Sequence, residues 1–198
     1  MKRSLKQIEN CFTMPVNLKA FSNNDYNPGN AFKRGSWFFF NAFFLINPFN
    51  PFSSLKRSVL RMFGAKVGDG VVIKPGVNIK YPWFLEIGNN CWIGENVWID
   101  NLGKTVIGSD VCISQGALLL CGNHDYKKST FDLMVGEIHL EDGVWIGAKS
   151  IVTGGVTCKT HAILTAGSVT SGSLDAYSIY KGNPAVYVRE RKMEDSSL

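Results

Sequence analysis

From Val67 onward an apolar residue returns every six positions, and no other feature of the chain restricts its fold so tightly. The series runs Val67, Ile73, Ile79, then Ile87, Ile93, Ile99, then Ile107, Ile113, Leu119. After a gap it resumes at Leu140, Ile146, Val152, Cys158 and Leu164. Four residues after each of these, in the uninterrupted turns, stands a compact residue such as Val71, Cys91, Ala117, Ser150 or Ser168. That residue and the next apolar one are two apart, so on a strand both point to the same face, inward. The three residues in between must turn a corner. The corner position carries Gly, Asn or Asp in nine of eleven turns, with Lys149 and His161 the exceptions. Those three types tolerate a positive φ best. Glycines at this frequency exclude a helix, and strand-corner-strand with a six-residue step predicts a parallel β-solenoid.

The interruptions count its sides. The steps from Ile79 to Ile87 and from Ile99 to Ile107 are eight residues, and that from Leu119 to Leu140 is twenty-one. Every third turn is lengthened, so the coil has three sides. The inserts Tyr81–Trp83, Asp100–Leu102 and Leu120–His139 should stack along one edge, and long loops on rigid scaffolds tend to carry function.

These hexads resemble the left-handed β-helix acyltransferases, in which three-sided coils follow the pattern [LIV]-G-x-x-[STAV]-x. Val144-Trp-Ile-Gly-Ala148, Thr165-Ala-Gly-Ser-Val169 and Gly182-Asn-Pro-Ala185 match their cofactor end. Phe63-Gly-Ala-Lys-Val-Gly68, Tyr81-Pro-Trp83 and Gly122-Asn-His-Asp125 are most similar to the colanic acid biosynthesis acetyltransferases, relatives of the maltose and galactoside O-acetyltransferases. The resemblance spans about Gly29 to Arg191. It implies an all-β fold, a three-sided left-handed parallel β-helix with a short helical and irregular N-terminal extension and a C-terminal capping segment. The corresponding boundaries are residues 1–66, 67–170 (with the inserted loop 120–139) and 171–198. It also implies acetyl transfer from acetyl-CoA to a sugar hydroxyl in surface or extracellular polysaccharide synthesis, and a homotrimer.

Charge and cysteine content narrow the classes further. Residues 1–66 hold 10 basic and 2 acidic side chains, while 67–170 hold 7 and 10. The solenoid is therefore not a nucleic-acid-binding body. Five scattered cysteines (11, 91, 112, 121, 158) with no C-x-x-C fit neither a zinc site nor a disulfide framework, which points to a reducing cytoplasm. The longest apolar run, Trp37 to Ile46, is too short to cross a bilayer. Residues 53–64 read as an amphipathic helix capped by Ser53 or Ser54, stopped by Gly64, with Leu55, Val59, Leu60 and Phe63 on its apolar side and Lys56, Arg57 and Arg61 on the others. With the aromatic run before it, this helix is expected to close the open coil end; peripheral contact of this aromatic, basic segment with the inner face of a membrane is the less favoured alternative.

The three histidines fall in different places. His161 is at a corner, His139 points outward from a flat side, and His124 alone lies in the long insert. A sugar hydroxyl needs a base near neutral pH, and imidazole is the side chain suited to it. The oxyanion formed at the thioester carbonyl is best met by a fixed backbone N–H. The resemblance makes His124 the general base. Asp125, a backbone carbonyl and Glu137 are each able to orient its ring. Asp100, Asn101, Asp125, Tyr81 and Trp83 are the candidate contacts to the acceptor. Toward the cofactor, the resemblance implicates Trp145, Ala148, Ala166 and Arg189, with Lys181 added by charge. Ser171 stands where relatives often carry Lys. Cys121, three residues before His124, is read as packing rather than as a nucleophile. No convergent set of imidazoles suggests a metal, as the carbonic anhydrases on this scaffold require. Transfer to an amine of a small amino acid or nucleotide sugar, and a non-catalytic scaffold, are the other classes.

The outward residues form three columns: Lys66, Glu86, Val106, His139, Thr157; Val72, Trp92, Cys112, Trp145, Ile163; and Asn78, Trp98, Leu118, Ile151, Val169. The last two are too apolar to face water throughout, which is the physical ground for expecting a trimer.

Overall fold

A computed structural model describes residues 15–194. Cys11, the first fourteen residues of the N-terminal extension and the tail beyond residue 194 lie outside the described residues. Two compact units emerge among the described residues: one within 28–123 and 135–194, the other within 15–27 and 124–134.

The larger unit is the solenoid. Three sheets of five, seven and five strands form its sides, parallel except for the last strand of the second, and each strand is two or three residues long except in the last hairpin. The pairing follows the outward columns: Lys66 with Glu86 and Glu86 with Val106 on the first side, Trp92 with Cys112 and Cys112 with Trp145 on the second, Trp98 with Leu118 and Leu118 with Ile151 on the third. Each hexad's leading residue, from Val67 to Leu164, is buried, as is the compact residue four positions on. Each such Ile, Leu or Val contributes about 1.5–3 kcal/mol against the entropy of ordering the coil. All eleven corner residues have positive φ, Lys149 (56°) and His161 (57°) included. Inside, the buried Ser150 hydroxyl donates to the Thr165 carbonyl at 2.8 Å, so compact polar residues enter the core without an unmet group.

The N-terminal helices close the first coil. Helix α1 spans Ala31–Phe40, capped by the Asn30 side chain accepting from Lys33 N, and runs on into a π-helical segment, Asn41–Ile46. Helix α2 spans Ser53–Met62 and is stopped at Gly64, whose φ is +98°. Two details differ from the sequence reading. Neither Ser53 nor Ser54 caps α2; the Ser53 hydroxyl instead accepts from Ile73 N and donates to Ile73 O. Lys56 does not lie on an outer face but is fully buried, its ammonium donating to the Ile73 and Lys74 carbonyls at 3.1 and 2.9 Å. Arg57 donates to Val71 O, and Arg61 to Val67 O and Gly68 O. The coil edge exposes carbonyls that need donors, and Lys and Arg offer nothing but donors. The basic residues thus serve the edge, which a hydrophobic-moment argument sends to solvent.

The opposite end continues the second sheet. Ser178–Gly182 adds in parallel to Ile163–Leu164 and then turns back antiparallel through Ala185–Glu190. The C-terminal cap is therefore a β-hairpin.

The smaller unit is compact in its own right. Asn17 N donates to Ser129 O at 2.8 Å, Asp125 N donates to Asp132 O, and Lys128 pairs with Asp132 at 2.8 Å.

Candidate active site

His124 ends a short strand, Gly122–His124, in the long insert. Its Nδ1 lies 2.8 Å from the Phe131 carbonyl. A carbonyl can only accept, so Nδ1 carries the proton and the neutral ring keeps its lone pair on Nε2. The Phe131 ring stacks on the imidazole at 4.5 Å and 9°, and Phe21 meets it edge-on at 5.9 Å. Phe131 is held at φ +54°, a conformation that bulky residues rarely adopt and that here directs both its carbonyl and its ring at one histidine. Of the three orienting groups the sequence left open, the backbone carbonyl is the one in place. Asp125 instead builds the turn, its carboxylate accepting from Lys127 N at 3.0 Å. Glu137 pairs with His139 at 3.1 Å. Phe131 and Phe21 escaped the sequence reading: one acts through its backbone, the other lies a hundred residues away.

On the larger unit the roots of the inserts stack on one edge, as the lengthened third turns require. Asp100 registers with Leu120, and Asp100 O accepts from Cys121 N. Tyr81 and Trp83 stack at 5.0 Å, with the Lys33 ammonium 4.4 Å from the Trp83 ring. The Asp100 carboxyl is half-buried, which pushes its pKa up, against a smaller opposing pull from Lys80. Asn101 has a different task from the one expected of it. It is fully buried, and its amide binds both ends of one residue, accepting from Tyr81 N at 3.0 Å and donating to Tyr81 O at 2.6 Å. It fixes the Tyr81 insert from beneath and is sealed from any acceptor sugar. Cys121 is buried beside Thr105, and desolvation raises its thiol above the ordinary range, which suits packing and not nucleophilic attack.

The residues matched to the cofactor end lie on the last coils and the hairpin. Trp145 is half-exposed with its indole N–H donating to Ser114 Oγ at 2.9 Å. Ala148 and Ala166 occupy the same corner on successive coils, and Ala166 is exposed. A side chain at Gly147 would come within 2.4 Å of Ala166 N, so glycine is what lets these corners stack. Lys181 and Arg189 stand exposed on the two hairpin strands. Two cations, an indole and open corner backbone are a donor set that fits a phosphate-bearing thioester with an amide arm. Among the described residues, no group of three His, Cys, Asp or Glu side chains could hold a metal.

No family model matches the chain. Among curated proteins it is 39% identical over 133 residues to WcaF of Escherichia coli, whose name assigns it to acetyl transfer in colanic acid biosynthesis; the match covers 67% of this chain and 73% of the relative. The chain belongs to the hexapeptide-repeat acetyltransferases. Within that family it is also 24% identical over 138 residues to the galactoside O-acetyltransferase of Escherichia coli, covering 68% of each. Among solved structures, a hexapeptide-repeat acetyltransferase of Vibrio cholerae complexed with acetyl coenzyme A superposes with a TM-score of 0.75 at 19% identity, over 88% of this chain and 97% of that one. That likeness fixes the fold, a left-handed parallel β-helix.

Proposed function

We propose that this acetyltransferase moves acetyl from acetyl-CoA to a hydroxyl of a sugar, in the synthesis of a surface or extracellular polysaccharide, with His124 as general base. The observation that carries the reading is the hydrogen bond from His124 Nδ1 to the Phe131 carbonyl, which leaves Nε2 in the tautomer that accepts a proton. As the hydroxyl oxygen attacks the thioester carbonyl, its proton passes to Nε2, and the carbonyl behind Nδ1 favours the imidazolium that results; collapse of the tetrahedral adduct then breaks the C–S bond, leaves the acetyl group on the sugar oxygen and returns the proton to the departing CoA thiolate. No acyl-enzyme is involved. Trp145, Ala148, Ala166, Lys181 and Arg189 serve the acetyl donor: the cations meet its phosphates and the corner backbone its pantetheine amides. Tyr81, Trp83 and Asp100 serve the acceptor, the two rings as an apolar wall for a sugar face. The names of WcaF and of the galactoside enzyme support a carbohydrate acceptor. Use of acetyl-CoA suits a cytoplasmic site of action.

The working form in this reading is a homotrimer. Trp92, Trp98 and Trp145 all stand exposed on the second and third sides, more indole surface than an isolated coil leaves in water.

His124→Ala tests both parts. The variant should keep the trimer mass by light scattering and its affinity for acetyl-CoA, while kcat falls by about 10²–10⁴. Unchanged turnover removes His124 from the chemistry, and a monomeric mass for the unmodified protein removes the trimer.

A further inference from the structure

A helix on a protein surface normally shows one apolar stripe, turned to the core. Helix α1 and the π-helical segment after it show two. The inner stripe is Trp37, Asn41 and Leu45, all buried; Trp37 donates from its indole to Ile79 O at 2.9 Å, and Asn41 to Asn78 Oδ1 at 2.7 Å. The outer stripe is Phe32, Phe39, Phe43 and Ile46, at steps of seven, four and three residues, and every member is exposed. Phe38 joins it edge-on to Phe39 at 5.6 Å.

The following turn extends this face. Asn47 accepts from Phe49 N at 2.9 Å and Asn50 from Phe52 N at 3.1 Å, two successive side-chain turns that hold the backbone while both rings project outward. Asn50 also donates to Phe44 O, tying the turn to the helix. Phe49 is 90% exposed. On the flank, Met62 of α2 shares an open groove of about 510 Å³ with Phe32, Phe40 and Phe63.

Charge identifies what covers this face. Between Asp25 and Asp69 the chain contains no acidic residue, while it holds Lys33, Arg34, Lys56, Arg57, Arg61 and Lys66. Lys56, Arg57 and Arg61 are engaged by the coil edge and Lys33 by the Trp83 ring, while Arg34 stands exposed on the helix two residues after Phe32. The residues that carry most of the energy of contacts between proteins are Trp, Tyr and Arg. Here the rings are phenyl, the rim is of one sign, and the local amides are turned inward to protein partners. No described helix is long and apolar enough to cross a membrane, so the face can only lie along one.

We propose that this face is an interfacial membrane contact. The phenyl rings of α1 and of the Phe49 turn enter the boundary of an anionic bilayer, and the exposed Arg34 meets its headgroups. The same helices that cap the coil with one side thus hold the protein at a lipid surface with the other.

The test uses the full chain and sedimentation with vesicles. The protein should pellet with phosphatidylcholine vesicles containing phosphatidylglycerol, and about tenfold less with phosphatidylcholine alone. The double variant Phe43→Asp, Phe49→Asp should lose about tenfold of the pelleting while keeping its light-scattering mass and near-ultraviolet circular dichroism. Absence of pelleting by the unmodified protein, or equal pelleting by the variant, overturns the proposal. A smaller mass for the variant also overturns it, because the face then lies between copies of the chain.

Discussion

The two ends of the solenoid meet the same physical demand by different means. A parallel coil leaves alternate N–H and C=O groups of its terminal turns without a strand to pair with. At the first end these groups are met one at a time by side chains. Lys56, Arg57, Arg61 and Trp37 donate to carbonyls, and Ser53 accepts from Ile73 N. At the last end the chain supplies more backbone: Lys159 N donates to Leu174 O, Thr165 N donates to Tyr180 O, and the hairpin lengthens the second sheet. Side-chain caps depend on particular residues, whereas backbone caps depend on the path of the chain. The first end should therefore be sensitive to single substitutions and the last end to deletion.

Deletion should have the largest effect. Removing the hairpin, residues 178–190, strips the partners from Thr165 N and leaves Ile163–Leu164 as an open, flat, apolar edge. That loss is comparable with the whole stability of a domain, about 5–15 kcal/mol. The expected result is aggregated chain, measured as soluble fraction and light-scattering mass. A truncated protein that stays monodisperse and melts at the original temperature would show that the core alone closes this end.

The contrast also explains what was legible in the sequence. The hexads, the three sides, the corner residues and the outward columns could all be read, because a period of six with inward Ile, Val and Leu admits one register. The stacking of the insert roots followed from the same count. Lys56 could not be read, since its carbonyl partners lie 17 and 18 residues away and exist only once the coil has an end. Ser53 was visible as a cap candidate, but the coil edge outcompetes the helix for its hydroxyl. Near the candidate site, His124 stood out by its place in the one long loop. The Phe131 carbonyl that orients it belongs to backbone geometry at positive φ, which no side-chain pattern marks. Asn101 was legible as a polar residue on an insert, while its burial under Tyr81 was not. The hairpin was hidden because the rhythm stops where its strands begin.

A single substitution at each end should give the next effect in size. Lys56→Met keeps the apolar stem and removes the ammonium, leaving the Lys74 carbonyl without its donor and the Ile73 carbonyl with the Ser53 hydroxyl alone. The expected loss is about 3 kcal/mol, seen as a melting temperature lowered by roughly 6–12 °C. Tyr180→Phe at the other end removes a hydroxyl that accepts from Asp175 N at 3.2 Å and leaves the backbone carbonyl to Thr165 in place. It should move the melting temperature far less. Equal shifts in the two variants would erase the distinction between side-chain and backbone caps.

The smallest effect is in the alkaline pH dependence, and it has opposite signs at the two ends. Burial lowers the pKa of Lys56, because an ammonium is poorly solvated under α2. At the last end Lys159 is held above its ordinary value by its hydrogen bond to Asp175, 2.8 Å away. For Lys56 the folded chain releases its proton at lower pH than the unfolded chain does. Between that lowered value and the ordinary lysine value of 10.5, the unfolded state therefore binds more protons, and the Lys56 contribution to stability rises with pH. For Lys159 the folded pKa is the higher one, so its contribution is complete below 10.5 and declines as pH climbs through the raised value. Exposure to solvent keeps that second contribution slight. Denaturant midpoints measured from pH 8 to pH 11 should thus show the gap between the unmodified protein and Lys56→Met widening with pH, while the gap to Lys159→Met narrows or stays flat. A Lys56 gap that shrinks with rising pH would mean that the ammonium gains from its two carbonyls more than it loses in leaving water, and the first end would then be held by charge as well as by geometry.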